Sequence, residues 1–221
     1  MVAHGSNSRR PASLELARDR CLVLVLRYNQ EMKNAIIVHG KPGEEEYYSE
    51  EYPSSSNFAW IPWLQKQLII KDIKADTPEM PHAYEPQYEL WKTEFERFNI
   101  TPETILVGHS CGGGFLVRWL SENKDVMVDK VILVSPWIDP EKENKYDFFR
   151  GFEIDPTLSS RANKIIAYTS DNDFEHCKES VGVIKETVPE IEVREFIGMG
   201  HFIPMHMKSN EFPELVEDIL A

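Results

Sequence analysis

Six short strand-like runs, separated by stretches of helical periodicity, constrain this chain more than any other feature. They fall at residues 35–38, 69–75, 104–108, 130–135, 164–168 and 192–197. Between and after them, residues 58–68 place Phe58, Ile61, Leu64 and Leu68 on one helical face, and residues 85–98 carry Leu90, Trp91, Phe95 and Phe98. Two further helices are predicted at 179–187 and 211–220. Near-continuous apolar strands alternating with helices call for a parallel sheet covered on both faces. Right-handed crossovers then favour a doubly wound α/β sheet of about six strands in the order 2-1-3-4-5-6. In such sheets ligands sit beyond the carboxyl ends of the strands, so residues just after each run matter most.

The end of the third run reads Gly108-His109-Ser110-Cys111-Gly112, followed by the helix-like stretch from Gly114 to Leu120. This is G-x-S-x-G in a strand–turn–helix setting. A sharp turn there lifts the serine Oγ clear of the sheet edge near a helix N-terminus, and the flanking glycines let the backbones approach closely. Ser110 is the candidate nucleophile. A serine hydroxyl attacks only when a neighbouring imidazole takes its proton. Of seven histidines, His201 is best placed, in Gly198-Met199-Gly200-His201-Phe202 after the sixth run. His206 is the weaker candidate, and His109 is expected to pack or hydrogen-bond beneath the turn.

A carboxylate must fix the imidazole tautomer, and the chain order Ser…Asp…His suits this architecture. The fifth run leads into Ser170-Asp171-Asn172-Asp173-Phe174. Asp173 lies farther into the loop and is favoured, while Asp171, directly after the strand, is expected to tie the turn to backbone N–H groups. The developing oxyanion needs preorganised donors. The Cys111 N–H supplies one; the other is expected from the turn at 39–43, at the Lys41 N–H. Cys111 is read as a backbone donor, not a nucleophilic thiol.

Composition bounds the rest. A net charge of −13 argues against nucleic acid or an anionic membrane surface as partner. No stretch approaches the ~18 apolar residues of a membrane span. Three widely spaced cysteines with no C-x-x-C suit a reducing, cytoplasmic compartment and give no zinc site. No metal or organic cofactor is expected. Residues 1–31 hold five arginines against three acidic residues, a balance of +2, which leaves −15 for the remainder. They are predicted to be a leader or extension, with the main domain running 32–221.

The serine turn, S-x-x-D and G-x-G-H-F, in this order, resemble the α/β-hydrolase superfamily. The compact size resembles its small serine-hydrolase family, that of retinoblastoma-binding protein nine and the bacterial YdeN-like proteins. The likeness runs from about Met32 to Leu220 and includes the 63 residues from Ser110 to Asp173 and the 28 from Asp173 to His201. It implies a single-domain α/β-hydrolase with Ser110 as nucleophile, Asp173 as acid and His201 as base. Two departures stand out. The family's acid is typically followed by proline, whereas Asp173 meets Phe174 directly, which keeps Asp171 open. The L-x-C-x-E peptide of the vertebrate relative is absent, since residues 175–179 lack the leucine, so that partner does not transfer.

The 28 residues from Pro136 to Asn163 are too short for a large lid but hold Trp137, Tyr146, Phe148, Phe149 and Phe152. Trp137, Phe149 and Phe152 are expected to wall a substrate pocket. The acidic loop at 44–51 is expected to be mainly solvated. The expected activity is hydrolysis of small or medium carboxylic esters through an acyl-enzyme. Thioester or amide cleavage by the same residues, and a non-enzymatic interaction module on the same fold, are the alternatives.

Overall fold

A computed structural model describes residues 33–143 and 147–221. The expected leader at 1–31 and Tyr146 lie outside the described residues. Six parallel strands form one sheet: β1 (Asn34–Val38), β2 (Lys74–Asp76), β3 (Thr104–His109), β4 (Val128–Val134), β5 (Ala162–Ser170) and β6 (Glu192–Phe196). Their order is β2-β1-β3-β4-β5-β6, as the run pattern predicts. The order reverses beside β1, and β3 lies next to it in register from Asn34 opposite Thr104 to Val38 opposite Gly108.

Alternation along the strands divides the interior into two cores. Ile36, Val38, Leu106, Val131, Leu133, Ile165 and Ala167 face one side. There they meet α3 (Tyr88–Phe95), α4 (Cys111–Glu122) and α5 (Glu175–Thr187) through Trp91, Phe95, Phe115, Trp119, Val181 and Ile184. Ala35, Ile37, Ile105, Val107, Ile132, Val134, Ile166 and Tyr168 face the other side. That side is covered by α2 (Ile61–Ile69) and α7 (Pro213–Leu220) through Ile61, Leu64, Leu68, Leu215 and Ile219. Two short helices, α1 (Glu44–Tyr48) and α6 (Pro204–Met207), lie after β1 and β6.

Two predicted elements shift. The apolar run at 69–75 is not one strand. Ile69 closes α2, and Asp72 turns the chain at φ 59°. Only Lys74–Asp76 then pairs with β1. Ile69 and Ile70 are about half exposed at the helix end, so hydrophobicity there reflects neither strand nor core. The helix predicted from residue 58 begins at Ile61, with Pro62 in its first turn, where a missing N–H is tolerated. Phe58 precedes it and turns toward the cavity described below.

The crossing of β3 into α4 leaves no room for side chains. A Cβ on Gly112 would stand 2.4 Å from the His39 carbonyl oxygen and 2.5 Å from that of Val38. On Gly108 it would stand 2.7 Å from the Gly113 backbone. Backbone atoms cannot swing aside as a side-chain tip can, so the helix would have to move. Gly112→Ala is expected to cost at least about 2 kcal/mol and lower the Tm by roughly 4–10 °C. Gly182→Ala, on the exposed face of α5 with nothing within 4 Å of the new Cβ, should stabilise by about 0.5–1 kcal/mol. Thermal and urea melts of the two variants check the contrast.

Candidate active site

Ser110 caps α4 at φ 52° and ψ −119°, in a left-handed region that a non-glycine residue occupies only when the surroundings hold it. Three backbone hydrogen bonds do so. The Ser110 N–H donates to the Val134 carbonyl at 2.9 Å, and the Ser110 carbonyl accepts from Trp137 N–H at 3.0 Å and Gly114 N–H at 3.1 Å. The turn therefore leans on the end of β4 and the segment beyond it. Cys111, the first residue of α4, has no acceptor for its N–H within the helix. Its side chain is fully buried, and burial pushes the thiol far above its ordinary pKa. It remains a protonated core residue.

The loop between β5 and α5 supplies two carboxylates with different partners. Asp173 is buried, and its Oδ1 lies 2.9 Å from His201 Nδ1 while accepting the Phe174 N–H at 2.7 Å. Asp171 Oδ1 instead accepts the Gly198 N–H at 2.7 Å. Asn172 Oδ1 accepts the Gly200 N–H at 2.8 Å. These two side chains thus hold the glycine-bounded loop that carries His201, and of the three residues it is Asp173 that meets the imidazole. Burial by itself would raise the Asp173 pKa, but hydrogen bonds with His201 and Ser135 outweigh it and hold the group below its ordinary value.

Three other histidines of the site have partners of their own and do not compete with His201 for its place. His206 Nδ1 accepts the His201 N–H at 2.9 Å and braces the loop. His109 Nε2 donates to the His201 carbonyl at 2.9 Å. His39 Nε2 accepts the Met80 N–H at 2.9 Å, so its proton sits on Nδ1 and is donated to the Gly40 carbonyl at 2.7 Å. The turn containing Gly40 and Lys41 passes beside the serine, since a Cβ on Gly40 would lie 3.0 Å from Ser110 Cβ.

Ser110, Cys111, His201, Gly40 and Lys41 line one cavity of about 870 Å³. Trp137 lines it, but Phe149 and Phe152 do not. Phe149 is buried against α4, where a Cβ on Gly114 would meet its ring at 2.7 Å, and Phe152 packs on the same core. Their places are taken by residues after β1 and near the histidine, notably Tyr47, Tyr52, Phe58, Phe174 and Ile203. Phe174 stacks on His176 and lies 4.8 Å, ring to ring, from His201. Of the acidic loop at 44–51, residues 44–48 form the exposed helix α1; Glu46 caps it by accepting the Gly43 N–H at 2.9 Å and also borders the cavity.

Among the described residues, metal-type donors gather at Asp173, Cys177 and His201, whose ligand atoms lie within 4.8 Å of one another. Two of those atoms, Asp173 Oδ1 and His201 Nδ1, already bind each other. The Cys177 thiol is pushed up to about 12 by burial and the nearby Asp173 carboxylate, so it is not poised as a ligand. No helix among the described residues is long and apolar enough to cross a membrane.

Sequence reasoning missed Ser135. It follows β4 at φ 48°, and its buried Oγ contacts both Asp173 Oδ2 and His201 Nδ1, the latter at 2.9 Å. A serine closing a strand at the carboxyl edge was the available signal.

The buried histidines give the fold a pH dependence. Burial, with repulsion from His201, lowers His109 to about 3, and burial lowers His39 as well. The unfolded chain takes up these protons near the ordinary value of 6.5, so the folded state is favoured above that pH and loses ground as pH falls. Each histidine contributes a slope of up to about 1.4 kcal/mol per pH unit, for His109 between about 6.5 and about 3. Urea unfolding between pH 7 and 4.5 should show a shallower loss in His109→Gln than in wild type. Parallel slopes would contradict the assignment.

The serine hydrolase family model matches residues 50–198, a span that includes Ser110 and Asp173. YdeN of Bacillus subtilis (strain 168), named as a hydrolase, is 26% identical over 180 residues, covering 77% of this chain and 86% of that protein. Its crystal structure superposes with a TM-score of 0.67 at 24% identity, covering 86% of this chain and 97% of that one. Est1E from Butyrivibrio proteoclasticus shares the fold at a TM-score of 0.56 and 14% identity, covering 86% and 89%. Fold, serine turn and family match agree, and the chain belongs to the serine hydrolase family, on an α/β-hydrolase fold.

Proposed function

We propose that this protein hydrolyses small or medium carboxylic esters through an acyl-enzyme, using Ser110, His201 and Asp173. The observation that carries the reading is the meeting of a strained serine turn and a buried His201–Asp173 pair, 2.9 Å apart, on one cavity. His201 Nε2 takes the Ser110 proton as Oγ attacks the ester carbonyl carbon. Asp173 holds the Nδ1 proton in place and stabilises the imidazolium that forms. The carbonyl oxygen, now negative, is received by the Cys111 N–H and the Lys41 N–H. Collapse of the tetrahedral intermediate expels the alcohol, protonated by His201, and water then repeats the steps in reverse on the acyl-serine.

The cavity walls support the substrate size. About 870 Å³ bordered by Tyr47, Tyr52, Phe58 and Trp137 suits a compact acyl or aryl group. The same machinery accepts thioesters and amides in principle, and a substrate panel separates these from esters. Buried, unpaired Cys111 and Cys177 suit a reducing compartment, in keeping with a cytoplasmic protein.

A fluorophosphonate probe should label wild-type protein at Ser110 and leave Ser110→Ala unlabelled. Folded wild type that does not react would favour the non-enzymatic reading. With p-nitrophenyl acetate, Asp173→Asn should lose on the order of 10⁴ in kcat, whereas Asp171→Asn, which only loosens the loop, should lose less than about tenfold. The reverse ranking would make Asp171 the acid.

A further inference from the structure

We propose that Ser135 is a positioning residue for hydrolysis, a fourth member of the hydrogen-bonded chain that aims His201 at Ser110. This rests on the esterase mechanism above. Ser135 is fully buried at the end of β4. Its N–H donates to the Tyr168 carbonyl at 3.0 Å, which fixes it against β5. Its hydroxyl sits between the two working groups. Asp173 Oδ2, a carboxylate oxygen, can only accept, so the Ser135 hydroxyl proton points to it. With that proton committed, the Ser135 Oγ lone pair faces His201 Nδ1 at 2.9 Å and accepts its N–H.

Two consequences follow from this polarity. The His201 Nδ1–H is shared between Asp173 Oδ1 and Ser135 Oγ, both at 2.9 Å, so two acceptors hold the proton on Nδ1 and leave Nε2 free to act as base. Asp173 Oδ1 is satisfied by His201 and the Phe174 N–H, while Oδ2 takes its proton from Ser135. Without the hydroxyl, a buried carboxylate oxygen loses its donor and the carboxylate is freer to rotate away from the imidazole. Ser135 holds this place with a left-handed backbone (φ 48°).

Ser135→Ala and Ser135→Gly separate hydroxyl from backbone. Glycine accepts positive φ without strain, so a purely conformational role would leave Ser135→Gly fully active. A positioning role predicts that both lose on the order of 10- to 100-fold in kcat, with KM within about twofold and cooperative melting retained. Because Ser135 acts through Asp173, the two losses should not add. In an Asp173→Asn background, Ser135→Gly should cost less than about threefold. Proton NMR of the folded proteins gives a reading that does not depend on turnover: the low-field His201 Nδ1–H resonance should move in Ser135→Gly. Wild-type kcat in Ser135→Gly, or a full additive loss in the double variant, or an unmoved resonance would overturn the proposal. Wild type that neither turns over esters nor reacts with fluorophosphonate would overturn the esterase reading and this role with it. Normal labelling in both wild type and Ser135→Gly, at equal rates, would overturn the Ser135 role alone.

Discussion

The rest of the site depends on how closely α4 approaches the strands beneath it. With Gly112 pressed on the carbonyls of Val38 and His39 and Gly108 on the backbone of Gly113, the chain reverses from strand to helix within one residue. That residue is Ser110, and its backbone angles are set by the strand ends around it. Because the turn bonds to the carbonyl of Val134 and to the N–H of Trp137, the serine is referenced to β4 as well as to its own strand. The strain at φ 52° is held in place by packing on both sides.

The histidine is fixed by a different device. Three consecutive residues, Asp171, Asn172 and Asp173, each present a carbonyl or carboxylate oxygen to the loop after β6. Two grip backbone N–H groups and one grips the imidazole, so the loop and its side chain are placed by one short stretch. Around them, His109 and His39 are kept neutral by burial. In the proposed mechanism His201 takes up the serine proton; a positive charge on His109, whose ring lies 5.0 Å from that of His201, would oppose this, and its neutrality removes that conflict.

Much of this was legible in the chain. Strand order followed from alternating runs, and the serine turn from five residues between a strand and a helix. Asp171 tying the turn was readable from its position immediately after a strand. The errors had physical causes. The run at 69–75 mixed a helix end with a strand start, because Ile69 and Ile70 are apolar yet half exposed. Phe149 and Phe152 were aromatic and near the site in sequence, but Phe149 packs against Gly114 of α4 and Phe152, half-buried, packs on the same core. Of the cavity walls, Tyr47 came from the acidic loop at 44–51, Tyr52 from just after it, and Phe58 from a run that reads as the start of a helix. Ser135 was invisible as a partner because its role depends on a backbone angle and on two residues 38 and 66 positions away.

The division of the interior into two cores bears on how the site fails. Cys111 and Phe115, next to the serine turn, belong to the core shared by α3, α4 and α5. Phe202, next to His201, belongs to the opposite core, where Trp60 Nε1 donates to its carbonyl at 3.0 Å. The proposed nucleophile and the proposed base are thus anchored in separate layers, and the sheet is the common frame between them. Loosening one layer displaces one partner while the other stays put. Alignment of the reacting atoms is therefore more fragile than the fold itself, and turnover reports on the agreement of the two layers sooner than any global measure of unfolding.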